Sequence, residues 1–282
     1  MSFAKMFFLV LGVAWAAIAG GAETAAGGER YSFGVVPQQS ASKLARSWGP
    51  LLRYLGERAG IEIRFRTAPD IPEFERRLAA GEYDFAYMNP YHYTVFSRAP
   101  GYRAFAKASD KLIRGILVVR KDSPVQTPGD LDGATIAFPA PAAFAASVLT
   151  RAYLTGESIA FTPKYVSSHD SVYRAVAKGL YPAGGGVTRT LNSVEPEIRE
   201  QLRVLWTTEG YTPHAFAAHP RVPQPVVARL AGAMYVMGGD AQGSELLEPL
   251  SVQGFEAAVD RDWDDVRALE IDLLDDIATP AR

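Results

Sequence analysis

Gly81-Glu82-Tyr83-Asp84-Phe85-Ala86-Tyr87-Met88-Asn89-Pro90-Tyr91 decides the fold. An apolar strand leaves a Gly-Glu-Tyr-Asp entry at Phe85, and a short helix opens at Pro90. Upstream, 62–67 alternates like a strand, and Asp70-Ile71-Pro72-Glu73 offers a cap with a carboxylate three residues on, opening a helix that stops at Gly81. Further upstream, 31–37 is a β run, Ser40 or Ser42 caps a helix through Ala59, and Gly60 can take the left-handed conformation that ends it. Leu44, Trp48, Leu51, Leu52 and Leu55 recur at helical spacing on that helix, which assigns Trp48 to the core. Strand-helix units in tandem imply right-handed crossovers and a parallel sheet. Such a sheet binds ligands beyond the carboxyl ends of its strands, where Tyr87, Asn89 and Tyr91 fall.

Downstream the pattern changes. Residues 104–108 and 113–120 read as strands, and Ser123-Pro124 with Pro128-Gly129 marks a turn before Leu131-Asp132-Gly133. A second α/β unit follows, with a strand at 135–138, a helix over 142–154, a strand near 164–166 and a helix over 170–178 before Gly179. Two apolar strands at 203–207 and 214–218 precede helical sequence, including 226–237 and 263–277. The reading is α/β with two lobes, each a mainly parallel sheet flanked by helices, joined by a two-strand hinge near 108–114 and 207–214. Lobe 1 is assigned to 29–108 plus 219–282, and lobe 2 to 109–218.

The start of the chain reads as an address. Residues 1–5 carry one positive charge, 6–19 are almost wholly apolar, and small residues allow cleavage after Ala19 or Ala22. A membrane anchor is the other reading, but the run is shorter than the roughly 20 residues a spanning helix needs. A signal peptide of residues 1–22 is expected, and its loss removes only Lys5, taking the formal charge from −2 to −3. The chain has no cysteine, so disulfides and a lipid-anchored cysteine are excluded and a bacterial periplasm fits. A length of 282 residues at 48% hydrophobic content allows one large or two ordinary domains. No basic stripe is present, which argues against nucleic acid.

Val36-Pro37, Trp48-Gly49-Pro50-Leu51, Gly81 with Asp84, Tyr87-Met88-Asn89-Pro90, Leu131-Asp132-Gly133 and Ser168-His169-Asp170 occur in an order and spacing that resembles the phosphate, phosphite and phosphonate-binding periplasmic family. These are substrate-binding proteins of ABC importers, and the likeness covers nearly all of the mature chain. It implies the type II periplasmic binding fold, two lobes closing on a small anion, with the carboxy-terminal helices returning to the first lobe. It also implies ligand contact by Tyr87 and by His169, with Ser168 beside it.

The chain departs from the family at one point. Members carry an Asp-Pro pair and then a Ser-Thr-Ser run at the helix start after the strand that here ends at Phe138, and those hydroxyls and amides wrap the phosphonate oxygens. Here Ala143, Phe144 and Ala145 stand at the hydroxyl positions. Each charge-assisted hydrogen bond lost is worth roughly 1.5–3 kcal/mol, so unchanged affinity needs substitutes. Backbone N–H groups and the helix dipole survive. Phe144 could cover an apolar ligand group, or the alanines could simply be helix-forming sequence.

Arg189 is the best substitute. Gly184-Gly185-Gly186-Val187-Thr188-Arg189-Thr190 joins a glycine run, which admits close backbone approach, to hydroxyls and a guanidinium that can grip two oxyanion oxygens. A surface arginine after a tight turn is the alternative. The stretch is not a nucleotide P-loop, because the Gly-Lys-Ser/Thr ending is absent. His214, after Thr212-Pro213, is a further cleft candidate. Asp70 and Asp170 are the nearest acids for a ligand ammonium, but both read as helix caps, which favours a ligand without an amine.

Catalysis has little support. No Gly-x-Ser-x-Gly elbow or His-Glu-x-x-His motif is present, and histidines 92, 169, 214 and 219 lack metal-site spacing, so no metal or cofactor is expected. The expected function is a monomeric periplasmic receptor that captures a small oxyanion or organophosphonate and delivers it to the membrane permease of an ABC importer. Two alternatives remain at this level, a periplasmic partner of a sensor kinase and a phosphoester hydrolase.

Overall fold

A computed structural model describes residues 29–109 and 111–278; the expected signal peptide lies outside them. Strands β1 (Arg30–Val35), β2 (Glu62–Arg66) and β3 (Phe85–Met88) alternate with helices α1 (Ala41–Ala59) and α2 (Ile71–Ala79), and α3 (Pro90–Phe96) follows β3. Local chemistry sets these bounds. The Ser40 hydroxyl caps α1 and Gly60 ends it at φ 67°, while the Asp70 carboxylate accepts the Glu73 N–H at 2.8 Å. The α1 face of Leu44, Trp48, Leu51, Leu52 and Leu55 is fully buried, each side chain contributing about 1.5–3 kcal/mol.

Next come β4 (Arg103–Ala108), β5 (Gly115–Arg120) and β6 (Ala134–Phe138). A π-helical turn (Phe144–Leu149) then leads into α4 (Thr150–Gly156). The chain continues through β7 (Phe161–Tyr165), α5 (His169–Ala177), β8 (Ala183–Val187), α6 (Thr188–Asn192), α7 (Pro196–Arg199), β9 (Leu202–Thr207) and β10 (Ala215–Ala218). The last elements are α8 (Gln224–Val236), α9 (Ala241–Leu247), β11 (Phe255–Ala257), α10 (Asp264–Arg267) and α11 (Asp275–Ala278).

Two sheets form, in the orders β11-β4-β10-β3-β1-β2 and β7-β6-β8-β5-β9. Both are mixed rather than mainly parallel. β1 runs parallel to β2 and β3, and β6 runs parallel to β7 and β8, while β10, β4 and β11 in one sheet and β5 and β9 in the other pair antiparallel. β10 pairs with β3 and β4, so 215–218 belong to the first sheet and the boundary drawn at 218 is too late; the crossing at 207–214 is where the chain leaves the second sheet. The two crossovers lie side by side, with Ile113 and Tyr211 exchanging N–H···O bonds of 2.8 and 3.0 Å.

Other expectations need correction. The helix expected over 263–277 is broken into α10 and α11, with Glu270 at φ 48° between them, and the helix expected over 142–154 begins with the π turn. The glycine run 184–186 is the interior of β8. A Cβ on Gly185 would lie 2.0 Å from the Ala146 carbonyl oxygen, and one on Gly186 would lie 2.2 Å from the Tyr173 hydroxyl. The glycines therefore seat the π turn and α5 against the sheet, which is a packing role. Among the described residues no helix is long and apolar enough to cross a membrane.

Strand order reverses between β1 and β3 in one sheet and between β6 and β8 in the other. These switch points open a crevice beyond the strand ends. One presents Gln38, Tyr87 and Asn89; the other presents 139–144 and Thr188 with Arg189. The two crevices face each other.

Candidate functional site

The lobes are in contact along this cleft. The Asn89 side-chain amide donates to the Ala142 carbonyl at 3.1 Å, the His169 N–H to the Gln38 carbonyl at 3.1 Å, and the Gln39 amide to the Ser193 hydroxyl at 2.8 Å. Lys43 reaches from α1 to the Asp170 carboxylate at 3.3 Å and to the Ser193 carbonyl at 2.9 Å. Arg189 crosses the same gap, donating from Nη2 to Gln38 Oε1. Apolar side chains from both lobes, Phe144 and Val187 among them, pack into one shared core with Phe74, Tyr91 and Trp263.

Two cavities lie in the cleft. The larger, about 310 Å³, takes its lining from Tyr87 and Phe216 of the first sheet, residues 111–114 and 213–214 of the crossovers, 187–189 and Asn192 of the second lobe, and 250–255. The smaller is about 10 Å³ and is lined by Asn89, Ala143, Phe144, Ala145, Ala146 and His169. Gln38, Ile113, Val187 and His214 line both. A cavity needs about 10–15 Å³ of such volume to hold one water, so the pocket at the π turn has no room for a tetrahedral oxyanion in this conformation.

The larger cavity is cationic. Lys111, Arg114 and Arg189 line it, and among the described residues no carboxylate lines it and none of the three forms an ion pair. Arg114 is turned onto the Thr208 carbonyl at 3.1 Å, and Lys111 donates to the Ser251 carbonyl. Burial, and then the Arg189 charge, pull the Lys111 ammonium below the ordinary lysine range. His214 stacks on Tyr87 with ring centroids 4.7 Å apart and planes 14° apart. Its Nε2 is buried without a hydrogen-bond partner. Burial, and after it the Arg189 and Lys111 charges, hold that imidazole well below its usual value, so it is neutral. Burial pushes the Tyr87 phenol up, opposed by Arg189.

The sequence-derived candidates divide accordingly. Tyr87, Thr188, Arg189 and His214 meet at the larger cavity. Ala143, Phe144, Asn89 and His169 line the small void instead. Asn89 is occupied as the cap of α3, its Oδ1 accepting the His92 N–H at 2.7 Å. His169 Nδ1 lies 3.1 Å from Thr190 Oγ1, whose hydroxyl is also bonded to Tyr173. Burial and Arg189 lower the His169 pKa to about 3, so its imidazole is neutral in the empty protein. Ser168 caps α5 through the Ser171 N–H at 3.1 Å and lines neither cavity. Tyr91 turns away into the core, its hydroxyl accepting the Leu274 N–H at 2.9 Å. Asp70 and Asp170 are caught in a helix cap and an ion pair with Lys43. Sequence reasoning missed Gln38, Lys111 and the 250–255 loop; only the crossover at 108–114 pointed toward one of them.

The family profile described as "ABC transporter, phosphonate, periplasmic substrate-binding protein" matches residues 33–263, more than half of the chain. The chain belongs to this family. It is 24% identical to the phosphate-import protein PhnD of Mycolicibacterium smegmatis, with 72% of this chain and 70% of that one covered. The fold is similar to a binding protein component of an ABC phosphonate transporter from Pseudomonas aeruginosa (TM-score 0.79, 18% identity, 86% of each chain covered). It is also similar to PhnD1 from Prochlorococcus marinus in complex with methylphosphonate (TM-score 0.76, 15% identity, 86% of this chain and 97% of that one). The two-lobed periplasmic binding fold expected from the sequence is the observed one. Members of this family are periplasmic transport components rather than enzymes, and the family implies a small anionic ligand and an importer permease as partners.

Proposed function

We propose that this protein, secreted by a signal peptide cleaved after Ala19 or Ala22, acts as a monomer that traps a phosphorus oxyanion or organophosphonate between its lobes and hands it to an ABC permease. The ligand oxygens are held by the Arg189 guanidinium and the His214 Nε2–H, within the field of Lys111, with Tyr87 and the Thr188 hydroxyl on the walls. The observation that carries this reading is a cleft cavity lined by cations and by no described carboxylate, at facing strand switch points. The cavity is lined by Thr188 and Arg189 of one lobe and by Tyr87 of the other, so an anion held there touches both halves, which is what a ligand needs to shift a hinge equilibrium.

The test is calorimetric titration of protein stripped of ligand by unfolding and refolding, using phosphate, phosphite and methylphosphonate. Arg189→Ala removes a charge-assisted pair and should weaken the best ligand about ten- to a hundredfold. Unchanged affinity removes Arg189 from the site.

A further inference from the structure

We propose that the anion taken by this cleft carries an apolar organic substituent and no amine, its charged head at Arg189 and His214 and its tail against Phe216, Leu250, Val252 and Phe255. The inference rests on the anion-receptor reading and adds the class of ligand. Three observations support it.

The first is capacity. A cavity of about 150 Å³ takes a benzene-sized group of six heavy atoms, so one of about 310 Å³ has room well beyond a bare tetrahedral oxyanion of five heavy atoms. The remainder would be water against hydrocarbon. The second is the order of groups along one wall. His214 stacks on Tyr87, the Tyr87 ring lies 4.9 Å from that of Phe216, and Phe216 lies 4.8 Å from Phe255. The wall thus runs from an unpartnered imidazole nitrogen to aromatic hydrocarbon, and Leu250 and Val252 continue it. The third is charge. An ammonium on the substituent would be enclosed with Arg189 and Lys111 and would meet no lining carboxylate among the described residues. The void at Ala143, Phe144 and Ala145, about 10 Å³, has no room for the head, which leaves the cavity beside the crossovers to take it.

Ligand-stripped protein is titrated calorimetrically with methylphosphonate, propylphosphonate and 2-aminoethylphosphonate, the last two being close in size and differing in a terminal methyl or ammonium. Each buried methylene should tighten binding about fourfold, so propylphosphonate should bind about fifteenfold tighter than methylphosphonate. The aminoethyl compound should bind at least about tenfold more weakly than the propyl one. Leu250→Asn should weaken propylphosphonate by a larger factor than methylphosphonate. Equal affinities for methyl and propyl, a preference for the amine, or an equal loss for both ligands in Leu250→Asn overturns the tail while leaving the anion receptor intact. No binding by any member of the series overturns the tail, and no binding of phosphate or phosphite besides overturns the anion receptor as well.

Discussion

His214 and His169 are imidazoles that the fold keeps neutral. Both are almost fully buried, and Arg189 faces each of them, so protonation is opposed by desolvation and by a cation. Their folded pKa values lie below the unfolded value near 6.5, so the unfolded chain binds more protons in that range. Stability of the empty protein is therefore full above about pH 6.5 and declines as the pH falls, by up to about 1.4 kcal/mol per pH unit for each imidazole, for His169 down to about 3. A bound oxyanion reverses the bias at His214 by offsetting the Arg189 and Lys111 charges and accepting from Nε2. Binding near pH 5.5 should then take up protons, seen as a buffer-dependent calorimetric enthalpy, and the uptake should shrink in His214→Asn. Equal enthalpies in buffers of different ionisation heat would contradict this.

At the scale of elements, β8 connects packing to the site. Its glycines let the π turn and α5 lie directly on the strand, and the same strand leads at Val187 into α6, which carries Arg189. Gly185→Ala places a methyl within 2.0 Å of the Ala146 carbonyl oxygen, backbone that can yield only by displacing the π turn. Overpacking of this kind costs about 1–3 kcal/mol, and the variant should show a lower denaturant midpoint together with weaker anion binding. Wild-type stability would show that the turn is not seated as described. This strand was not legible in the sequence, because glycine is depleted in strands and a run of three reads as a loop. By contrast, α1 and α2 were legible to their ends, since Ser40, Gly60 and Asp70 each make a local backbone contact that any context preserves. The segment 263–277 misled because helical composition says nothing about Glu270 adopting φ 48°.

For the whole molecule, the two lobes and their double crossover followed from counting α/β units, and the facing crevices followed from strand order. The site was only half legible. Arg189 and His214 sit near recognisable punctuation, a glycine run and Thr212-Pro213, and Lys111 lies in the crossover read at 108–114, whereas the 250–255 loop reaches the cavity only because the chain continues in the first lobe after β10. The neighbours of that loop in sequence carry no trace of that proximity. The absence of hydroxyls at Ala143, Phe144 and Ala145 was legible, but the spatial outcome was not: Phe144 and three alanines line a void of about 10 Å³ while the cavity beside the crossovers is about 310 Å³.

If Arg189 holds the anion between the lobes on the crossover side of the cleft, a crystal structure of the protein grown with propylphosphonate will show it there. The phosphonate oxygens should lie at about 2.7–2.9 Å from the Arg189 guanidinium nitrogens, with His214 Nε2 facing the same group and the alkyl chain toward Phe255. Phosphonate density at the Ala143 to Ala146 turn, with Arg189 still bonded only to Gln38, would contradict it.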